Sequence, residues 1–191
     1  MRLVFLFLYL VAISLSAGAQ TREYEVFLKG KQVGQLKVVR EVNDESEKIT
    51  VITLIDAQAL VGLTQYDESQ ASYMDGKLID ATSITKINGS TATTQTTLRK
   101  GGYTINEDGK SKRLGQLMLF GSDLLYFEEP VGLERVYILA LGKELNLHKR
   151  DNHNWSFEHN GSQHVYNYTG GVLTELQIEN NSYKLTFRLK Q

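Results

Sequence analysis

Residues 78–109 read LIDATSITKINGSTATTQTTLRKGGYTINEDG, and this stretch decides the fold. Asn88-Gly89 and Asp108-Gly109 are dipeptides that tolerate the positive φ angles of tight hairpin turns, and Gly101-Gly102 supplies a further reversal. The segments between them are rich in Thr and Ile, β-branched residues that fit a pleated surface. The reading is strand, turn, strand, turn, strand, with each strand antiparallel to the last.

The same grammar extends in both directions. Upstream, Tyr24–Lys29 meets a turn at Gly30-Lys31, and Val33–Val42 places Leu36, Val38 and Val42 on one face. A polar turn at residues 43–46 leads to the β-branched run Ile49–Ala57, and Thr64–Met74 is a polar strand ended by Asp75-Gly76. Downstream, strands are expected at Leu133–Leu139, Glu144–Arg150, Trp155–His159, Ser162–Tyr168, Val172–Ile178 and Tyr183–Leu189. In the last of these Tyr183, Leu185, Phe187 and Leu189 alternate with polar residues, the period of a strand with one buried face. Gly30, Gly34, Gly101, Gly102, Gly170 and Gly171 are all expected at turns. The pattern breaks once. Leu114, Leu117, Met118, Gly121 and Leu125 have partly helical spacing, Ser122-Asp123 could cap a helix, and Pro130 stops it. About a dozen short strands joined mainly by hairpins predict an all-β fold. It is an antiparallel meander curled into an open or partly closed barrel, with one short helical cover at 113–127.

Composition narrows the function. The 191 residues are 41% hydrophobic and 23% charged with net charge −1, so no nucleic-acid partner is expected. The absence of cysteine removes thiolate catalysis and thiolate metal sites. Met1-Arg2, the apolar run Leu3–Leu15 and the small residues Ala17-Gly18-Ala19 read as a signal peptide over 1–19. The expectation is a single β-rich domain over 20–191, exported to a bacterial periplasm or the cell exterior, and not membrane-spanning once cleaved.

Candidate sites follow from strands and clusters. The run 49–55 is apolar on both faces, so Ile52 and Leu54 call for a cover: the 113–127 segment, another sheet or an apolar ligand. The Thr-rich strand at 91–97 fits either a solvated convex wall or a polar lumen. Trp155, Phe157, Tyr166 and Tyr168 should share one hairpin face and, with Tyr126, form either a packed core or the aromatic wall of a ligand cleft. All four histidines lie between 148 and 164; His159 and His164 flank Asn160-Gly161, as diagonal neighbours across a two-residue turn or as direct partners across a four-residue loop, and either register leaves them close enough to share a zinc, nickel or copper ion. His148 and Glu158 point to other faces. Glu128-Glu129 reads as a solvated loop. No nucleophile elbow or phosphate-cradling loop is present, and no cofactor is expected.

Three motifs carry a resemblance: Tyr24-x-Val26-x-x-x-Gly30-x-x-x-Gly34, Leu125-Tyr126-Phe127-Glu128-Glu129-Pro130 and Tyr166-x-Tyr168-x-Gly170. With them the chain resembles the bacterial exported family called domain of unknown function 6134. The resemblance implies a compartment and a β-fold but no catalytic residues. More distantly the chain is similar to half-open barrel proteins, the shape used by periplasmic lipoprotein carriers. Three functions stay open: non-enzymatic binding of a lipid or other apolar or amphipathic molecule, an interaction module for a cell-envelope protein, and a metal-dependent hydrolase using His159 and His164.

Overall fold

The computed structural model describes residues 18–43, 45–115 and 120–191. Strands β1 (Gly18–Leu28), β2 (Lys31–Val42), β3 (Ser46–Ala57), β4 (Leu63–Met74), β5 (Lys77–Ile87), β6 (Ser90–Arg99), β7 (Gly102–Glu107) and β8 (Lys110–Leu114) follow one another, with a single helical turn, α1 (Gln58–Val61), between β3 and β4. After a hairpin of β9 (Arg135–Ile138) and β10 (Lys143–Asn146) come β11 (His148–Asp151), β12 (Asn154–His159), β13 (Ser162–Thr169), β14 (Val172–Glu179) and β15 (Lys184–Leu189). The turns are as the dipeptides require: Asn88 and Gly89 have φ of 49° and 84°, and Asp108 and Gly109 have 47° and 84°.

Among the described residues, thirteen strands form one antiparallel sheet in the order β11–β15, then β1–β8. The two meanders join where β1 meets β15, with Val26 opposite Phe187. The sheet does not close, so β8 and β11 remain as edges. Both edges are short and largely basic or polar, with sequences KSKRL and HKRD, which discourages edge-to-edge pairing. Residues 1–17 of the expected leader lie outside the described residues, while Gly18 and Ala19 pair with Val42 and Glu41 in β1 and β2. No helix among the described residues is long and apolar enough to cross a membrane.

The interior is filled by strand alternation and by a plug. On β3, Ile49, Val51, Thr53, Ile55 and Ala57 point in and are buried. From the gap between β8 and β11, residues 120–147 enter the concave side and bury Leu124, Leu125, Phe127, Val136, Tyr137 and Leu139. The expected short cover at 113–127 is part of this plug. Its first residues belong to β8, Leu117 and Met118 lie outside the described residues, and the helical part is one 3-10 turn at Leu124–Tyr126. The cover is longer and includes the β9–β10 hairpin. Glu144–Arg150 is likewise two strands, divided at Leu147 between the small sheet and the large one. Gly34 is not a turn residue but lies inside β2, where an added Cβ would collide with the Leu54 carbonyl oxygen.

Hydrogen bonds tie the plug to the wall. The Tyr168 hydroxyl donates to the Leu125 carbonyl at 2.7 Å, Thr94 to Ala140 O at 2.9 Å, and Thr96 and Tyr137 share a bond at 2.7 Å. Arg22 donates to the Tyr126 carbonyl, and Arg40 reaches Glu128 at 2.8 Å; both guanidinium groups lie over the Phe127 ring. The bonds to Leu125, Tyr126 and Ala140 satisfy backbone carbonyls that an irregular buried segment would otherwise leave unpaired.

Candidate ligand cavity

Between the plug and the curved sheet lies a half-open cavity of about 450 Å³, within the size range of small-molecule sites. Its walls come from the two meanders. On the β12–β15 side it meets Phe157, Tyr166, Leu176, Ile178, Leu185 and Phe187. On the β3–β5 side strand pairing sets two polar rows across the sheet. Thr53, Asp67 and Thr85 are direct partners in one, and Ser69 faces Ser83 in the other. The roof is Ser122, Asp123 and Tyr126 with residues 138–141. The mouth lies beside the hairpin tips, where Ile87 is 41% exposed and His159 and Tyr183 are partly so.

The polar groups are unusual in lacking cations. Among the described residues no Lys or Arg lines the cavity. Asp123 is 2% exposed; its Oδ1 accepts a 2.6 Å bond from the Tyr73 hydroxyl, and its Oδ2 has no hydrogen-bond partner among the described residues. Gly121 makes this contact possible, because any Cβ there would overlap both the Tyr73 hydroxyl and the Asp123 carboxylate. Burial pushes the Asp123 carboxyl up to about 7, against the opposing effect of the Tyr73 bond. Asp67 is raised too, chiefly by burial, although Gln65 and Thr85 donate to it. Burial, with His159 nearby, lowers His164 to about 4, so its imidazole is neutral at pH 7. Burial likewise lowers His159, with Lys143 adding to it.

The expected site residues divide. Tyr126, Phe157 and Tyr166 line the cavity. Trp155 and Tyr168 are buried beyond it and secure the plug: the Trp155 indole donates to Glu129 at 3.2 Å and Tyr168 holds Leu125. Ile52 and Leu54 stand on the convex face, away from the cavity, with Leu54 43% exposed. The inner residues of their strand are Val51, Thr53 and Ile55, so the second apolar face is on the outside and the cavity does not cover it. Glu128 and Glu129 are plug anchors rather than a free loop: Glu129 also meets His153 Nδ1 at 3.0 Å.

His159 and His164 take the diagonal one of the two registers open to them, His159 opposite Ser162 and His164 opposite Phe157. The His164 ring is stacked on Phe157 at 4.5 Å, and among the described residues no group of three or more His, Cys, Asp or Glu side chains is placed to hold a metal ion. Asp123 was expected to cap a helix, but its side chain caps nothing and turns to Tyr73 instead. Nothing local in the sequence marks Asp67 or Asp123 as a cavity acid. Asp67 sits on a strand polar on both faces, so alternation could not mark which face was inside. The one available signal was the Thr-rich neighbour, whose Thr94 and Thr96 face inward.

In overall shape the chain is similar to the crystal structure of a β-barrel-like protein of domain of unknown function DUF1849 from Brucella abortus. The TM-score is 0.50 at 11% identity, over 92% of this chain and 96% of that one. No curated protein matches the chain. The model of the family described as domain of unknown function DUF6134 matches residues 24–190, nearly the whole of the described sheet, and the chain belongs to that family.

Proposed function

We propose that this chain is an exported, non-enzymatic binding protein that holds an apolar or amphipathic small molecule in the cavity beneath the 120–147 plug. The observation that carries the reading is the pairing of walls: aromatic and aliphatic side chains on β12–β15 face hydroxyls and a carboxylate on β3–β5 across about 450 Å³. Apolar area supplies affinity and a few placed polar groups supply orientation. Export rests on the leader-like residues 1–19. The envelope-partner reading draws less support, since the free edges β8 and β11 are basic and short. The hydrolase reading has two histidines and, among the described residues, no third ligand beside them.

Native mass spectrometry of the protein, purified from the cells that make it without detergent, tests this directly. The expected spectrum contains a bound apolar mass that is lost on raising the collision energy. A bare protein mass, together with no thermal shift from fatty acids, fatty alcohols, alkylamines or phospholipids, would overturn the reading.

A further inference from the structure

We propose that the β3–β5 wall of the cavity seats a neutral head group bearing several hydroxyls, so that the ligand is an amphiphile of the alkyl glycoside kind with its chain on the β12–β15 wall. The proposal rests on the cavity-binding reading and narrows it to one class of head group.

Strand register builds the seat. Thr53, Asp67 and Thr85 are direct partners across β3, β4 and β5, and Ser69 and Ser83 are partners at the next inward position along β4 and β5. All five line the cavity. Strand spacing and residue rise gather them into one patch of about 10 Å by 7 Å, enough to underlie a sugar ring.

The inward hydroxyls of this half of the sheet fall into two groups. On β6 they are engaged by the plug: Thr94 donates to the Ala140 carbonyl, and Thr96 is bonded to the Tyr137 hydroxyl. On β3–β5 they face the void. Among the described residues the hydroxyls of Thr53, Ser69 and Ser83 make no hydrogen bond, although Thr53 and Ser83 are only 6% and 4% exposed. Buried polar groups are ordinarily paired, so these three call for partners from outside the protein.

The chemistry of the patch selects the head. A hydroxyl both donates and accepts, and the Asp67 carboxyl, which already takes bonds from Gln65 and Thr85, adds acceptor capacity. A sugar rim offers the same mixture of donors and acceptors. An anionic head would be desolvated with no cation beside it, since among the described residues no Lys or Arg lines the cavity. An ammonium head would use the hydroxyls as acceptors alone and leave their protons unbonded. Across the void Tyr166, Leu176, Ile178 and Leu185 give an alkyl chain apolar area.

A matched series of eight-carbon probes tests the head group. Octyl β-glucoside, octanol, octanoate and octylammonium are titrated calorimetrically into the purified protein at pH 7.5, below their aggregation limits. The glucoside is expected to bind at least fivefold more tightly than octanol and tenfold more tightly than either ion. Ser69→Ala and Ser83→Ala should each weaken the glucoside at least threefold, since one neutral hydrogen bond is worth roughly two- to tenfold in affinity. Ser72→Ala, on the opposite face of β4 beside the buried Ala71, should leave it within twofold. The wild-type series needs no variant, so it stands should Ser83→Ala fold poorly. If octanol binds and the glucoside binds no better, water satisfies the hydroxyls and the head-group assignment falls while cavity binding survives. If either ion binds more tightly than the glucoside, the assignment falls likewise. If the glucoside preference persists in both Ser69→Ala and Ser83→Ala, the seat is not on β4–β5. If none of the four binds, the cavity-binding reading itself falls.

Discussion

The cavity wall of β12–β15 and the cavity wall of β4–β5 are built from equivalent inward strand positions, yet one presents Phe157, Tyr166 and Leu185 where the other presents Asp67, Ser69 and Ser83. Stability alone would favour the first kind on both sides, since each apolar side chain removed from water contributes about 1.5–3 kcal/mol. A row of hydroxyls and an acid facing a void contributes little packing and leaves polar groups to be solvated or bound. The difference is local to the cavity: both meanders bury core side chains, and only the β4–β5 stretch turns hydroxyls and an acid to the void.

Truncation should expose that division most strongly on the apolar side. Phe157 is 3% exposed and packs against both His164 and Tyr166. Phe157→Ala is expected to cost about 3–5 kcal/mol in urea denaturation, the range for deleting a core aromatic ring. A loss below 1 kcal/mol would mean that the wall is slack and the comparison misdrawn.

The titrating groups set the walls against each other in a second way. Asp123, at about 7, keeps a proton that the unfolded chain gives up near 3.8, so its effect is to lower stability as pH rises between those values. His164, at about 4, refuses a proton that the unfolded chain accepts below 6.5, so its effect is to raise stability as pH climbs through that window. In the parent protein the two slopes oppose. Asp123→Asn should leave the His164 slope, with stability rising from pH 4 to 6.5. His164→Gln should leave the falling slope of Asp123. Each slope approaches about 1.4 kcal/mol per pH unit at most. Chemical denaturation across pH 4–7.5 checks both, and variants with the same profile as the parent would remove the argument.

Gly121→Ala probes the roof where the walls meet. The new methyl would occupy the space shared by the Tyr73 hydroxyl and the Asp123 carboxylate, so those groups must separate. The expected cost is about 1–3 kcal/mol, typical of overpacking. A fluorescence melt unchanged from the parent would show that the plug can shift to accommodate it.

How much of this was legible in the sequence depends on the kind of signal. Turn dipeptides such as Asn88-Gly89 and Asn160-Gly161 fix hairpins locally, so the meander could be read from a few adjacent residues, and the register at His159 was narrowed to two choices. Strand 49–55 could not be oriented, because Ile52 and Leu54 are as apolar as Val51 and Ile55; only pairing with β2 and β4 decides which set faces in. The plug was harder still. Leu125 is held by Tyr168, 43 positions away, and Arg22 reaches Tyr126 across 104, contacts that no local period encodes. The cavity acids were hidden for the same reason, since Asp123 resembles a helix cap until Tyr73 is brought beside it.

The smallest expected effect is the sharpest test of the comparison. Thr53 is 6% exposed and lies in the polar row as the direct partner of Asp67 on β4. If the polar wall exists for the fold, Thr53→Val should be costly, because a buried hydroxyl that matters to stability takes about 1–3 kcal/mol with it when lost. If it exists for a ligand, exchanging the hydroxyl for a methyl of similar size should leave the melting midpoint nearly in place, within about 0.5 kcal/mol, or raise it slightly. The same substitution should then alter binding of fatty alcohols, strengthening their retention by added apolar area. A stability loss as large as that of Phe157→Ala would place Thr53 in the scaffold and erase the distinction between the walls. A neutral melt with changed probe affinity would locate ligand recognition on β3–β5, because only a residue the fold can spare is free to be chosen for what it binds.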